Sequence, residues 1–388
     1  MERIVLHCDM DRFYCTVEEK HDPSLRETPF AVCGDPEMRH SIVMSANSVA
    51  RKFGVRAGLR FADARRLCPA LRYVTADYSK YLLETKAARE VYYKYTDTVI
   101  PYGLDESWLL LQDDLSWHEA AQIAELIKLE IMYSMGLSAS VGVSYNLIFS
   151  KIGSDYNKPN GLTVITRDNF KDTVWPLSAK ELLFVGEVRE KALASRGIRT
   201  IGDIANADPE YLSRLVKSKV GYDLHQFANG HDQNFHPEID TINSIGNTIT
   251  PPKDLRNAEE AGAVIYMLAS AVCARLKKHG LKTRCVAVNI KDSHFSTLVR
   301  QSKFEQATDS VNRIFNRAYA LFRSNYFWEN PLRSIGIRAT YLDSGAQISL
   351  FEDDEQEQII TDISGKTKRL TALFGKLGVE SAGALGRW

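Results

Sequence analysis

Arg3-Ile4-Val5-Leu6-His7-Cys8-Asp9-Met10-Asp11 is the stretch on which the fold of this chain turns. Arg3 to Cys8 is short, apolar and rich in β-branched residues, which predicts a buried strand ending at Asp9. A carboxylate beside such a strand is costly unless a cation or hydrogen bonds compensate it. Gly103-Leu104-Asp105-Glu106-Ser107 repeats the pattern, with a second strand predicted over Glu106–Leu111. Read singly, these acids are turn caps. If the two strands pair, Asp9, Asp105 and Glu106 converge as hard oxygen ligands suited to Mg²⁺. Two such ions about 4 Å apart can activate a hydroxyl and stabilise a leaving phosphate group.

Outward from this core, Ser45 to Phe53 reads as a short helix stopped by Gly54. Ala120, Ile123, Ile127 and Ile131 recur at helical spacing, so Trp117–Met135 is predicted as an amphipathic helix stopped by Gly136. A further strand is predicted over Leu137–Val143. Together these make an α/β layer with an antiparallel-type sheet and helices on one face. Residues 243–342 read as a second unit. Thr248-Ile249-Thr250 ends a strand, and Asn257 with Glu260 suggests a capping box for a helix reaching Lys278. Val286, Val288 and Ile290 alternate, as do Phe295, Thr297 and Val299. A helix is predicted over Glu305–Phe322, and Ile335, Ile337 and Ala339 mark a last strand. The order is β-α-β-β-α-β.

At 388 residues the chain fits two to four domains. It has no apolar run of about 18 residues, and its start lacks a signal peptide's charged region and cleavage site. The six cysteines show no metal-ligand spacing and read as reduced, partly core thiols of a cytoplasmic protein. The formal net charge of zero hides an asymmetry. Residues 241–340 carry fifteen Lys and Arg against seven Asp and Glu, and residues 341–388 carry five against eight. A basic module of this kind suits phosphates, although a solvated basic face has the same composition.

Four motifs resemble the Y-family (lesion-bypass) DNA polymerases, specifically the bacterial DNA polymerase IV/UmuC-like group. They are Asp9-Met10-Asp11-Arg12-Phe13-Tyr14 with Val17-Glu18, and Leu104-Asp105-Glu106-Ser107. The third is Ser45-Ala46-Asn47 through Ala50-Arg51-Lys52-Phe53-Gly54-Val55. The fourth is Ser140-Val141-Gly142-Val143-Ser144 through Lys158-Pro159-Asn160-Gly161. The resemblance implies an α+β, right-handed polymerase. Its palm would be ferredoxin-like (1–10 and 77–165), its fingers small (11–76) and its thumb a helix-hairpin-helix (166–240). A β-α-β-β-α-β little finger (241–342) and a tail (343–388) would follow.

The same resemblance assigns roles. Asp9, Asp105 and Glu106, with the Met10 carbonyl, would hold two Mg²⁺, and Asp105 and Glu106 would be catalytic. Tyr14 falls on the steric-gate position that excludes ribonucleotides, next to Phe13. Arg51, Lys158 and Ser45 would contact the nucleotide triphosphate, with Ser45 on Arg51's side of the short helix. Leu182-Leu183-Phe184-Val185-Gly186 resembles the thumb hairpin, in which Val185 and Gly186 would meet a DNA phosphate. Arg275, Lys277, Lys278, Lys282, Arg284, Lys291 and Arg300 supply charge for backbone tracking. Gln347-Ile348-Ser349-Leu350-Phe351 looks like a bacterial sliding-clamp peptide anchored by Gln347, Leu350 and Phe351. The implied partners are primer-template DNA, a deoxynucleoside triphosphate and the clamp, bound by a monomer away from any membrane.

The chain departs from the family pattern at Ser48, where a tyrosine is common, and at Gly103, Leu147 and Phe184, which replace a serine, a lysine and a glycine. The expected activity is low-fidelity translesion DNA synthesis. The competing reading is a weak or inactive clamp-bound scaffold, which such relatives reach by losing the metal carboxylates. A palm-type nucleotidyl cyclase would need neither a hairpin thumb nor a basic module.

Overall fold

The computed structural model describes residues 3–35, 41–112, 114–237 and 242–343. The chain divides into two units, Met1–Ile239 and Asp240–Trp388.

In the first unit, β1 (Val5–Met10) is buried at every position. It runs one step further than expected, so Asp9 lies within the strand. Arg12, at φ 49°, turns the chain into α1 (Phe13–His21). Next come β2 (Phe30–Cys33), β3 (Val43–Ala46), α2 (Ser48–Lys52), α3 (Phe61–Leu67) and β4 (Arg72–Thr75). These strands form a small sheet of order β3-β2-β4 that the periodicity did not reveal. The helix expected over Ser45–Phe53 is shorter, because Ser45 and Ala46 belong to β3. Asn47 makes the break: its side-chain oxygen accepts from the Ala50 N–H at 2.9 Å and its amide donates to the Thr28 carbonyl at 2.9 Å. A side chain that satisfies the first helical turn also ends the strand before it.

The chain continues through α4 (Tyr78–Tyr92), β5 (Thr98–Tyr102), β6 (Glu106–Leu110), α5 (Trp117–Glu130), β7 (Ala139–Ser144), α6 (Leu147–Tyr156) and β8 (Leu162–Ile165). The main sheet has the order β5-β6-β1-β7-β8 and is antiparallel except between β7 and β8. Helices cover both of its faces, not one. α4 and α5 pack with Leu6, Cys8 and Leu109, while α6 packs with Val5 and Trp108 on the other side. Both alternating sets of β1 are thereby removed from water, the apolar Leu6, Cys8 and Met10 on one side and Val5, His7 and Asp9 on the other. α5 starts at a Ser116–Glu119 capping box and passes at Ile131–Met135 into a π-helical turn, ended by Gly136 at φ 67°.

α6 comes unusually close to β7. A Cβ on Gly142 would stand 1.9 Å from the Ser150 carbonyl oxygen and 2.5 Å from the Ser154 nitrogen, so only glycine allows the approach. Five helices follow: α7 (Phe170–Thr173), α8 (Glu187–Ala194), α9 (Ile201–Asn206), α10 (Pro209–Leu215) and α11 (Val220–Ala228). Their apolar residues, among them Leu193, Ile201, Leu212 and Phe227, join the core on the α6 side of the sheet.

The second unit has β9 (Ser244–Ile249), α12 (Ala258–Lys278), β10 (Lys282–Asp292), β11 (Thr297–Thr308), α13 (Val311–Asn325) and β12 (Leu332–Asp343), the expected order. Its sheet runs β11-β10-β12-β9. Val286, Val288, Ile290 and Ile337 form its core with Leu268, Val272, Ile314 and Phe322 of the two helices. Two boundaries differ from expectation. Phe295 lies outside β11, at φ 68° in a turn where Asp292 accepts from the N–H groups of His294 and Ser296. Glu305–Thr308, expected to be helical, continue the long β11, because Phe304 fills the sheet's core. Only half of the expected capping box forms: Asn257 caps Glu260 N–H at 2.9 Å, while the Glu260 carboxylate takes the Arg256 N–H.

All six cysteines are free and buried. Among the described residues no helix is long and apolar enough to cross a membrane. Gln347, Leu350 and Phe351 lie outside the described residues, as does the tail beyond Asp343.

Candidate active site

Antiparallel pairing sets Asp9 directly opposite Glu106 across β1 and β6. Cross-strand partners present their side chains to one face, so the two carboxylates are neighbours. Asp105 stands immediately before β6, and its carbonyl accepts the Met10 N–H at 3.1 Å. Two residues that follow α5 and β7 in the chain enter this acidic group from α6 and its end. Lys158 Nζ donates to Asp9 Oδ2 at 2.5 Å and pairs with Asp155 at 2.8 Å. Lys151 Nζ forms an ion pair with Glu106 and lies over the Tyr102 ring. Among the described residues, no three His, Cys, Asp or Glu side chains stand ready-made around a metal position. Ammonium groups instead neutralise Asp9 and Glu106.

Electrostatics distinguish the three acids. Burial pushes the Asp9 carboxyl up to about 7; the Glu106 charge adds to the rise and the Lys158 ammonium opposes it. Burial and the Glu106 charge likewise raise Asp105. Burial would also raise Glu106, but the His7 ring and the Lys151 ammonium outweigh it and bring the carboxyl down to about 2. Lys158, although desolvated, is raised because it faces both Asp9 and Asp155. Its ion pair does not return Asp9 to the usual carboxylate range, since one ammonium must offset both burial and a neighbouring anion. Three crowded carboxylates, two of them raised, are a donor set that fits hard divalent cations.

Asp11, only two residues beyond Asp9, has a different task. It is buried and accepts from Ser138 Oγ, Ser140 Oγ and the Asn160 N–H, each at 2.8 Å. It thereby ties β7 to the turn after Lys158, where Asn160 sits at φ 56°.

Tyr14 is half-buried at the start of α1. Its ring meets Tyr81 edge-on at 4.9 Å and Phe13 at 5.5 Å. Burial and the Asp105 charge push its phenol up to about 12. Tyr81 is itself fixed by a 2.7 Å hydrogen bond to Glu18. Ser45 is not on the short helix: it is buried in β3, beside the Cys15 thiol. Arg51 is on α2, and its Nε donates to the Ala46 carbonyl at 2.9 Å. That bond orients the guanidinium from the strand beneath it.

On the α6 side, Phe184 takes the left-handed conformation at φ 71° that the replaced glycine would have taken freely. Its ring is held by Phe235 at 5.7 Å and Phe227 at 6.0 Å. Val185 is buried, and Gly186 begins α8. This turn and α6 enclose a pocket of about 460 Å³ lined by Lys151, Asp155, Phe184, Val185, Gly186 and Arg189. In the second unit, Arg275 of α12 and Arg338 of β12 line a groove of about 720 Å³ beside β9. Arg284 is paired with Asp343 and Arg300 bonds Asn325.

The sequence reading missed Lys151, Asp155, His7 and the structural task of Asp11. For Lys151 and Asp155 the signal was their i,i+4 spacing on α6, which ends just before Lys158. Leu147, read as a departure from the family pattern, begins α6. Leu147 is a buried residue whose carbonyl accepts the Trp108 indole N–H at 2.9 Å.

Residues 8–155 match the impB/mucB/samB family, and residues 242–350 match the C-terminal domain of that family. The chain is 40% identical over 386 residues to a DNA polymerase IV of Acetivibrio thermocellus, covering 98% of this chain and 96% of the relative. It is 32% identical over 366 residues to DNA polymerase IV 1 of Bacillus subtilis, covering 92% and 88%. Among solved structures, the Y-family DNA polymerase chimera Dbh-Dpo4(243-245)-Dbh superposes with a TM-score of 0.77 at 24% identity, covering 87% of this chain and 98% of the chimera. An insertion ternary complex of Dbh DNA polymerase gives 0.61 at 24% identity over the same shares. The α+β fold is that of these polymerases, and the chain belongs to the impB/mucB/samB family of Y-family DNA polymerases.

Proposed function

We propose that this DNA-directed DNA polymerase carries out low-fidelity translesion synthesis, with Asp9, Asp105 and Glu106 as its catalytic acids. The observation that carries the reading is the β1–β6 register, which sets Asp9 against Glu106 with Asp105 adjoining. The three carboxylates and the Met10 carbonyl would hold two Mg²⁺. When bound, the ions supply Lewis-acid activation of the primer 3′-hydroxyl and neutralise charge on the departing pyrophosphate.

The chain's own residues do the rest. Lys158, a mobile ammonium, and Arg51, a planar fork of donors, meet the triphosphate as charge shifts toward pyrophosphate. The Tyr14 ring, braced by Phe13 and Tyr81, fills the space that a ribose 2′-hydroxyl would need. In this reading 1–10 and 77–165 form the palm, 11–76 the fingers and 166–240 the thumb. The turn at Val185-Gly186 offers backbone N–H groups to a DNA phosphate, and the basic unit 241–342 tracks the duplex without reading bases. Gln347, Leu350 and Phe351 tether the enzyme to a bacterial sliding clamp. Free, buried cysteines suit a reducing cytoplasm, and the enzyme acts there as a monomer.

Primer extension on an undamaged template, with Mg²⁺ and four deoxynucleotides, tests this. Wild type should extend and Asp105→Ala/Glu106→Ala should not. Absence of extension by wild type, with DNA and clamp binding intact, would replace the reading with a clamp-bound scaffold.

A further inference from the structure

His7 is a polar residue in the centre of the sheet that nothing in the reaction above uses. It pairs with Trp108 on β6 and Gly142 on β7, and its ring is 0% exposed. Asp9 lies two residues on, so both side chains project to the face that α6 covers. Gly142 lets the α6 backbone press down beside it, which brings Ser154 Oγ to 2.8 Å from His7 Nδ1. The other ring nitrogen, Nε2, is 3.2 Å from Glu106 Oε2. Its N–H direction is not aligned with that oxygen, so the contact is a close charge–dipole approach and not a full hydrogen bond.

A buried neutral imidazole has one N–H, and its neighbours decide which nitrogen carries it. If Nδ1 carried it, the Nε2 lone pair would face a carboxylate. Ser154 Oγ is 2.8 Å from both His7 Nδ1 and the Lys151 carbonyl, and its one proton serves one of them at a time; the arrangement without that repulsion turns it to Nδ1, with the Nε2–H facing Glu106. Lys151 approaches the same oxygen, Oε2. Both contacts are made to Oε2, which leaves Oε1 as the oxygen available to a cation.

We propose that His7, set by Ser154, is a positioning residue for Glu106. The pair fixes the side chain so that one carboxylate oxygen is presented to a divalent cation and the other is held by the protein. Partners of this kind orient metal-binding carboxylates elsewhere, and their loss weakens metal affinity. This inference rests on Glu106 being a cation ligand.

The test is Mn²⁺ binding to the nucleotide-free, full-length protein, followed by the loss of the free-ion paramagnetic resonance signal. His7→Phe fills the volume without a donor, His7→Gln keeps a donor near the Nε2 position, and Glu106→Gln is measured alongside. His7→Phe should weaken binding by about tenfold, His7→Gln should recover most of it, and Ser154→Ala should show a smaller loss. Thermal melting accompanies each variant. Equal Mn²⁺ affinity in wild type and His7→Phe, with Glu106→Gln weakened, would overturn the role of His7 alone. Unchanged affinity in Glu106→Gln would overturn the acid cluster and this inference together. Parallel losses in His7→Phe and His7→Gln, each with a collapsed melting temperature, would reduce His7 to a packing residue.

Discussion

Lys158 Nζ lies 2.5 Å from Asp9 Oδ2 and 2.8 Å from Asp155 Oδ1, so a cation suited to a triphosphate is held by the acids it adjoins. An ammonium and a divalent metal compete for the same Asp9 oxygen. Lys158→Met should therefore strengthen Mn²⁺ binding to the nucleotide-free protein by severalfold. It should also raise the KM for a deoxynucleotide by about tenfold, the worth of one charge-assisted hydrogen bond. Equilibrium dialysis and steady-state extension separate the two effects. Weaker Mn²⁺ binding in the variant would contradict the competition.

Tyr14 is backed by Phe13 and Tyr81, and Tyr81 is fixed by Glu18. A braced ring makes a better steric barrier than a free one. Tyr14→Ala should admit ribonucleoside triphosphates in primer extension while leaving the acids in place. Unchanged sugar discrimination would remove Tyr14 from the gate.

Gly142 is the point at which α6 meets the sheet. Gly142→Ala would place a methyl 1.9 Å from the Ser150 carbonyl, backbone against backbone. The expected cost is about 3 kcal/mol or more, read by denaturant unfolding. Gly186→Ala, with nothing within 4 Å of its added carbon, is the control and should change stability by less than about 0.5 kcal/mol.

Phe184 holds a left-handed backbone at φ 71° and packs its ring on Phe227 and Phe235. Phe184→Ala loses the packing and keeps the strain, whereas Phe184→Gly loses both. The glycine variant should be about 1 kcal/mol more stable than the alanine variant. The reverse order in thermal unfolding would show that the turn relaxes when the ring is removed.

The proposed clamp peptide predicts a functional loss without a structural one. Leu350→Ala/Phe351→Ala should melt like wild type and extend primers normally without the clamp. It should lose stimulation when the clamp is loaded, because an apolar pair of this kind acts by filling a partner's pocket. Full stimulation of the double variant would place the clamp contact elsewhere.

The acids were legible in the sequence because each adjoins a strand whose apolar run is hard to mistake. Asp9 falls in such a run and Glu106 opens one, so even boundaries displaced by one or two residues left them together. The order of the second unit was legible for the same reason: Val286, Val288 and Ile290 alternate, and Asn257 caps a helix. Ser45 was misplaced because Asn47 sits between strand and helix, and local propensity does not say which side a serine joins. Glu305–Thr308 were misread because they extend a strand held by non-local pairing with β10, which resumes at Thr308 after a bulge. The partners of the acids were decided by tertiary packing alone. Lys158 meets Asp9 across 149 positions, and His7 meets Ser154 across 147. Those meetings depend on one glycine letting α6 approach the sheet within backbone contact, a condition set by distances in three dimensions and not by periodicity along the chain.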